Sequence, residues 1–219
     1  MSIRRRLTAF AALGMVGVAV LAGCSSAPAA TPTGSTPVQD AAAAENDPYF
    51  TLPEVPDFEL TSTDVENETA FALPQFSGVF GVPGGEDVSP ELSWSGFPEE
   101  TESFIVTVFD ADAPTGSGFW HWVVADIPAT TTSLPTGAGA EDQALLPAGA
   151  LAFANDAGLP RYIGAAPPEG SGQHRYVITV TALDVPKVEI DPGASPALLG
   201  FLAGPSTIAR ATLTAYAGE

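Results

Sequence analysis

Cations, thiols and imidazoles are scarce in this chain. Its 219 residues hold 7 Lys and Arg against 26 Asp and Glu, a formal charge of −19, with one cysteine and two histidines. So few cations exclude a nucleic-acid binder, which needs clustered Lys and Arg to neutralise phosphates. A single cysteine excludes any disulfide within the chain. Long helices are disfavoured by 22 Gly and 21 Pro, about a fifth of all residues, which call for frequent turns. At 45% hydrophobic residues the chain is not disordered as a whole, and its length suits one domain with appendages.

Three of the seven cations, Arg4, Arg5 and Arg6, precede an apolar run from Leu7 to Ala22. That run is shorter than the roughly 20 residues that span a bilayer, so it reads as a secretory signal peptide over residues 1–23. It ends in Leu21-Ala22-Gly23-Cys24, which resembles a bacterial lipobox, with the Cys24 thiol as the acceptor of a diacylglyceryl group. The expected product is an exported protein, lipid-anchored on the outer face of a bacterial cell membrane. Cleavage leaves four cations (Arg161, Arg175, Lys187, Arg210) against 26 acids, a formal charge of −22. Residues 24–52 are rich in Ala, Pro, Thr and Ser without hydrophobic period and read as a tether. Such a tether reaches roughly 30 Å if flexible and up to about 85 Å in a polyproline form. Residues 53–219 are the expected folded domain.

Within that domain the pattern is strand, turn, strand. Phe104–Asp110 and Phe119–Ile127 are rich in β-branched and aromatic residues, the second ended by Pro128. His174–Leu183 alternates, placing His174, Tyr176, Ile178 and Val180 on one face, and Thr207–Tyr216 forms a last strand. Shorter candidates are Phe58–Thr61, Leu92–Trp94 and Ala150–Phe153. One helix is expected, Pro196–Ala203, with Ser195 as N-cap, Pro196 in its first turn and Gly204 as its stop. Strands and helices do not alternate regularly, which disfavours a parallel sheet. The expected fold is mainly β, an antiparallel β-sandwich with short peripheral helices.

Both histidines lie in strands beside other reactive side chains. One group is Asp110-Ala111-Asp112-Ala113-Pro114 followed by Phe119-Trp120-His121-Trp122. The other is Asn155-Asp156, then Tyr162-Ile163-Gly164-Ala165-Ala166-Pro167-Pro168, then Gly172-Gln173-His174-Arg175-Tyr176. In this order the motifs resemble the bacterial branch of the phosphatidylethanolamine-binding protein family, also called the Raf kinase inhibitor protein family. The resemblance runs from about Phe58 to Tyr216. It implies a fold of two antiparallel sheets (PEBP-like) and a small anion pocket near one end. Asp110, His121, His174 and Tyr176 would line that pocket, with Asp112 and the Ala113-Pro114 turn at its rim. Ligands of the family include phosphate and phosphorylethanolamine.

Strand geometry is compatible with this use, because His174 and Tyr176 project from one face about 6.5–7 Å apart. Imidazoles and a phenol can donate to phosphoryl oxygens, and Asp110 can orient an imidazole or accept from an ammonium group. Each residue also has a structural reading. Tyr176 can be a core aromatic, and Asp112 a turn cap rather than a ligand contact. Trp120 and Trp122 are expected to point away from His121 into the core, and Arg175 to pair with an acid. Two departures from the family pattern stand out. Ala111 replaces a proline, and Ala157 replaces an aromatic, which would widen the pocket entrance.

The expected activity is non-enzymatic binding of a small phosphoryl ligand or phospholipid head group, without metal or cofactor. No nucleophile elbow or His-x-x-x-His spacing is present, and Gly137–Asp142 fails the dinucleotide pattern. Two alternatives remain open. One is a regulator of a protein partner, like the family's kinase- and protease-inhibiting members. The other is a phosphoester hydrolase or metalloenzyme using the two histidines. Asn67-Glu68-Thr69 matches a glycosylation sequon and is read as chance.

Overall fold

The computed structural model describes residues 49–219; the signal segment, Cys24 and most of the tether lie outside them. Nine strands are described: β1 (Glu59–Thr61), β2 (Thr69–Ala70), β3 (Leu92–Ser95), β4 (Ser103–Asp110), β5 (Phe119–Pro128), β6 (Ser133–Leu134), β7 (Leu151–Ala152), β8 (His174–Leu183) and β9 (Thr207–Ala217). They form a three-stranded sheet, β1-β3-β6, and a six-stranded sheet, β2-β9-β8-β4-β5-β7. Every strand pairing is antiparallel except the two-residue pairing of β2 with β9. The expected mainly-β, two-sheet architecture is what forms.

The main core lies between the sheets. Leu92, Trp94 and Leu134 of the small sheet meet Phe104, Val106, Val108, Trp122, Ile178 and Val180 of the large one. A second cluster covers the other face of the large sheet, where Ile105, Val123 and Ala125 pack under Leu199, Ala203 and Val188. Burial on both faces explains why Phe104–Phe109 is a nearly continuous apolar run instead of an alternating one.

The helix α1 spans Pro196–Ala203, and the Ser195 hydroxyl accepts from the Leu198 N–H at 3.2 Å. Gly204 is its C-cap, as expected, but without the left-handed turn that commonly ends a helix. Its backbone is right-handed, at φ −49°, and the chain runs on into a 3-10 turn over Gly204–Ser206. Pro205 then removes the next donor and releases the chain into β9.

Two short strands, β2 and β6, carry too few residues for any periodicity to reveal them. The domain's contacts also begin ahead of Pro53. The Tyr49 hydroxyl donates to Thr179 Oγ1 at 2.8 Å, and the Arg210 guanidinium lies 5.2 Å from the Tyr49 ring centre. Two motifs set aside in the sequence have structural uses. Asn67 accepts the Thr214 N–H through its side chain. Gly139 lets Tyr162 approach, since a Cβ there would sit 2.5 Å from the Tyr162 Cβ.

Candidate functional site

The site gathers at one end of the large sheet because two long strands meet there in antiparallel register. Asp110, the last residue of β4, stands opposite Tyr176, the third residue of β8. His121 comes from the start of β5 by a less regular route. Val108 pairs with Trp122 and Phe109 with Trp120, so His121 is an extra residue on β5, a β-bulge. The bulge corrects the expected alternation. Trp120 packs on the outer cluster, whereas Trp122 enters the core between the sheets. The His121 ring shares that inner face, with its centre 5.1 Å from the ring of Tyr176.

Loops hold these side chains in place. Asp110 Oδ2 accepts from His174 Nδ1 at 2.8 Å, and Asp110 Oδ1 accepts the Asp112 N–H at 2.9 Å. Nδ1 of His121 lies 2.8 Å from the Ile163 carbonyl, so it carries the proton and leaves Nε2 as an acceptor in the neutral ring. Burial pushes the His121 pKa below its ordinary 6.5, against the raising effect of the Ile163 bond and of Asp110. The buried Asn155 amide donates to the backbone carbonyls of His121 at 3.3 Å and Arg161 at 2.9 Å. The Tyr162–Pro168 loop is pinned in turn. Gly164 N–H donates to Asp87 Oδ1 at 2.8 Å, and Ala165 exchanges backbone hydrogen bonds with Gln75 and Ser77.

These groups border a cavity of about 200 Å³ lined by Asp110, Pro114, His121, His174 and Tyr176, with Phe80, Phe119, Ala166 and Pro168 among its apolar walls. Asp110, His121, His174 and Tyr176 are each at most 4% exposed. The Tyr176 hydroxyl is buried without a hydrogen-bond partner. Asp110 and Ala166 are close enough to influence its ionisation, and burial above all drives its pKa upward. Two larger clefts, of about 820 and 310 Å³, lie on the outer face of the large sheet and contain neither histidine.

Asp112 does not join the cavity lining. Both of its carboxylate oxygens are taken by Arg175, at 2.6 Å from Nη2 and 2.7 Å from Nε, and the Arg175 N–H adds a third bond at 2.9 Å. The Arg175 bonds hold the Asp112 carboxyl below the usual range. Asp112 therefore fixes the loop after β4 against β8, and the ion pair expected of Arg175 is with this acid. Ala157 is exposed and does not border the cavity, whose mouth is instead flanked by Phe80 and Phe119, ring centres 6.3 Å apart.

Sequence reasoning missed Ser171. Its hydroxyl lies 2.8 Å from His174 Nε2 and donates to the Pro168 carbonyl at 2.7 Å. Both ring nitrogens of His174 are thus engaged, one by Asp110 and one by Ser171. Only the Gly170-Ser171-Gly172 turn ahead of β8 signals this residue, and a serine between glycines is too common to single out. Among the described residues, no group of three or more His, Cys, Asp or Glu is placed to hold a metal ion.

The chain is thus a two-sheet β domain with an imidazole-lined cavity at the strand ends. Residues 61–218 match the family model of the phosphatidylethanolamine-binding proteins, and the chain belongs to that family. It is similar to the UPF0098 protein YbcL of Escherichia coli, 45% identical over 157 residues, which cover 72% of this chain and 85% of YbcL. The crystal structure of E. coli YbcL, described as a new member of the mammalian PEBP family, superposes with a TM-score of 0.71 at 42% identity. The match covers 74% of this chain and 99% of the crystallised one. A third relative, LppC of Mycobacterium tuberculosis, bears a provisional lipoprotein name. It is 32% identical over 129 residues, which cover 57% of this chain and 59% of LppC.

Proposed function

We propose that this protein is a lipid-anchored binding protein whose cavity takes a small phosphoryl group, free or as a phospholipid head group, without catalysing its turnover. The observation that carries the reading is the Tyr176 hydroxyl, a buried donor that makes no hydrogen bond of ordinary geometry although Asp110 and Ala166 are near it, beside His121 in a cavity of head-group size. A buried unsatisfied hydroxyl is costly, and an incoming oxyanion would satisfy it. Neutral His121 offers Nε2 as an acceptor to a protonated phosphoryl oxygen, or takes up that proton and becomes a second donor. His174, held by Asp110 and Ser171, serves as the fixed wall of the site. The ligand thus meets Tyr176 and His121 first.

Anchorage through acylated Cys24, facing outward, is part of the proposal. Its support is the lipobox-like sequence and the lipoprotein name of LppC. Calorimetry with phosphate and phosphorylethanolamine tests the binding reading. Heat is expected with the wild type and none with His121→Ala or His174→Ala, while a wild type that gives no heat with either ligand refutes it.

A hydrolytic reading draws on the alignment of Ser171, His174 and Asp110, whose two hydrogen bonds are both 2.8 Å. The Pro168 carbonyl, 2.7 Å from the Ser171 hydroxyl, competes with His174 Nε2 for the single hydroxyl proton, which disfavours Ser171 as a nucleophile. Turnover of a phosphoester or carboxylester that vanishes in Ser171→Ala would replace the binding reading with this one.

A further inference from the structure

Helix α1 lacks the polar face that a surface helix normally presents. Pro196, Leu199 and Ala203 face inward, which leaves Leu198, Phe201 and Leu202 at 45%, 77% and 41% exposure. Beside it lies an apolar groove of about 310 Å³ walled by Leu52, Ile105, Trp120, Leu199 and Phe201. Leu52 is itself 44% exposed and its neighbour Phe50 57%. Contiguous exposed apolar surface of this kind marks an interaction site.

Charge and connectivity select the occupant. All 17 residues from Gly193 to Ala209 are uncharged, in a chain with 26 acids. Elsewhere the acids would hold the domain away from an anionic bilayer; the groove beside α1 is lined by no acid and by one cation, Arg210, with Glu54 and Asp57 in the adjoining cleft. Tyr49 also lines the groove, and residues 1–48, with Cys24 among them, join the domain at Tyr49. The chain that leads to the anchor therefore leaves from the rim of the apolar face.

We infer that the outer face of α1, with Leu52 and Phe50, rests on the membrane as a second, reversible contact beside the acyl anchor. Phe201 is its most protruding side chain and would enter the boundary between head groups and acyl chains. The inference rests on the lipid-anchor reading for its geometry but not for its test.

The sole cysteine makes the test specific. Full-length Phe201→Cys, exported and processed by a bacterial host, is labelled with an environment-sensitive dye. The number of dyes taken up reports whether Cys24 is blocked by lipid. Thr132→Cys, exposed ahead of β6 in the opposite sheet, is the control. Both are mixed with phosphatidylethanolamine–phosphatidylglycerol vesicles, with and without brominated acyl chains. At position 201 a blue shift, a several-fold rise in emission and bromine quenching are expected, with none of these at 132. The same signal with an unblocked Cys24 supports the membrane face and removes only the anchor reading. A blocked Cys24 with position 201 behaving like 132 removes only the membrane face. A blue shift that grows with protein concentration in the absence of vesicles overturns the inference in favour of a second copy of the chain. Because Phe201 is 77% exposed, its replacement leaves the core intact, and Phe201→Glu with the dye at Leu198→Cys should abolish the lipid signal.

Discussion

Replacing Asp110 by Asn tests the site at its anchor. The carboxylate accepts two hydrogen bonds, from His174 Nδ1 at 2.8 Å through Oδ2 and from the Asp112 N–H at 2.9 Å through Oδ1. Asn has the same shape but a single acceptor oxygen, so its amide group must face one of the two donors. Asp110 is 3% exposed and His174 1%, so water cannot easily replace the lost acceptor. A buried donor left unpaired costs about 1–3 kcal/mol, and the surviving bond loses its charge assistance. A loss of about 2–3 kcal/mol is therefore expected, roughly 4–12 °C in Tm for a domain of this size. Asp110→Ala removes both acceptors and should cost about 3–5 kcal/mol, the range for breaking a buried pair. Equilibrium urea denaturation measures both variants, and calorimetry with phosphorylethanolamine should show weakened binding for each as His174 loses its orientation. An Asn variant within about 0.5 kcal/mol of the wild type, the range of ordinary surface changes, would refute this hydrogen-bond accounting.

Tyr176→Phe removes a hydroxyl that makes no hydrogen bond of ordinary geometry, so stability should hold or rise slightly. Phosphate affinity should fall by about 12–160-fold, the worth of one hydrogen bond to a charged group, as read by calorimetry. His121 is buried with its pKa below 6.5, so the unfolded chain binds the proton more readily. Its contribution to stability is full above pH 6.5 and declines as pH falls toward the depressed value, while phosphate affinity rises over the same window if the bound anion draws a proton onto His121. Chemical denaturation and calorimetry across pH, with His121→Gln as the flat control, measure both trends. Gly164→Ala should destabilise by about 1–3 kcal/mol or more, as overpacking does, because the added Cβ would sit 2.2 Å from the Phe76 carbonyl carbon. A melting curve matching the wild type would contradict that close approach.

Much of the fold is legible residue by residue. β8 and α1 begin and end where alternation and capping place them, since both signals are local: His174–Leu183 keeps period two, and Ser195-Pro196 starts a helix. β2 and β6 were not legible, because two residues carry no period and their pairing is set by strands far along the chain. Gly204 caps α1 as expected, but its right-handed backbone carries the chain into a 3-10 turn that local capping signals do not announce. At the site, the ordered motifs brought out Asp110, Pro114, His121, His174 and Tyr176, which line one cavity. Asp112, expected at the rim or as a turn cap, does not line the cavity but holds the loop after β4, because its partner, Arg175, comes from a strand 63 residues later.

The sequence by itself determined the longer strands, the family and the clustering of both histidines with Asp110, since each rests on local pattern or on motifs in fixed order. Only the tertiary structure decided which way those side chains point and what already holds them. A bulge turns Trp122 and His121 to one face, and Ser171 closes His174 Nε2. Tyr176 is left as the unpartnered donor. Such outcomes depend on register between strands and on loop packing, where a shift of one residue exchanges core for surface.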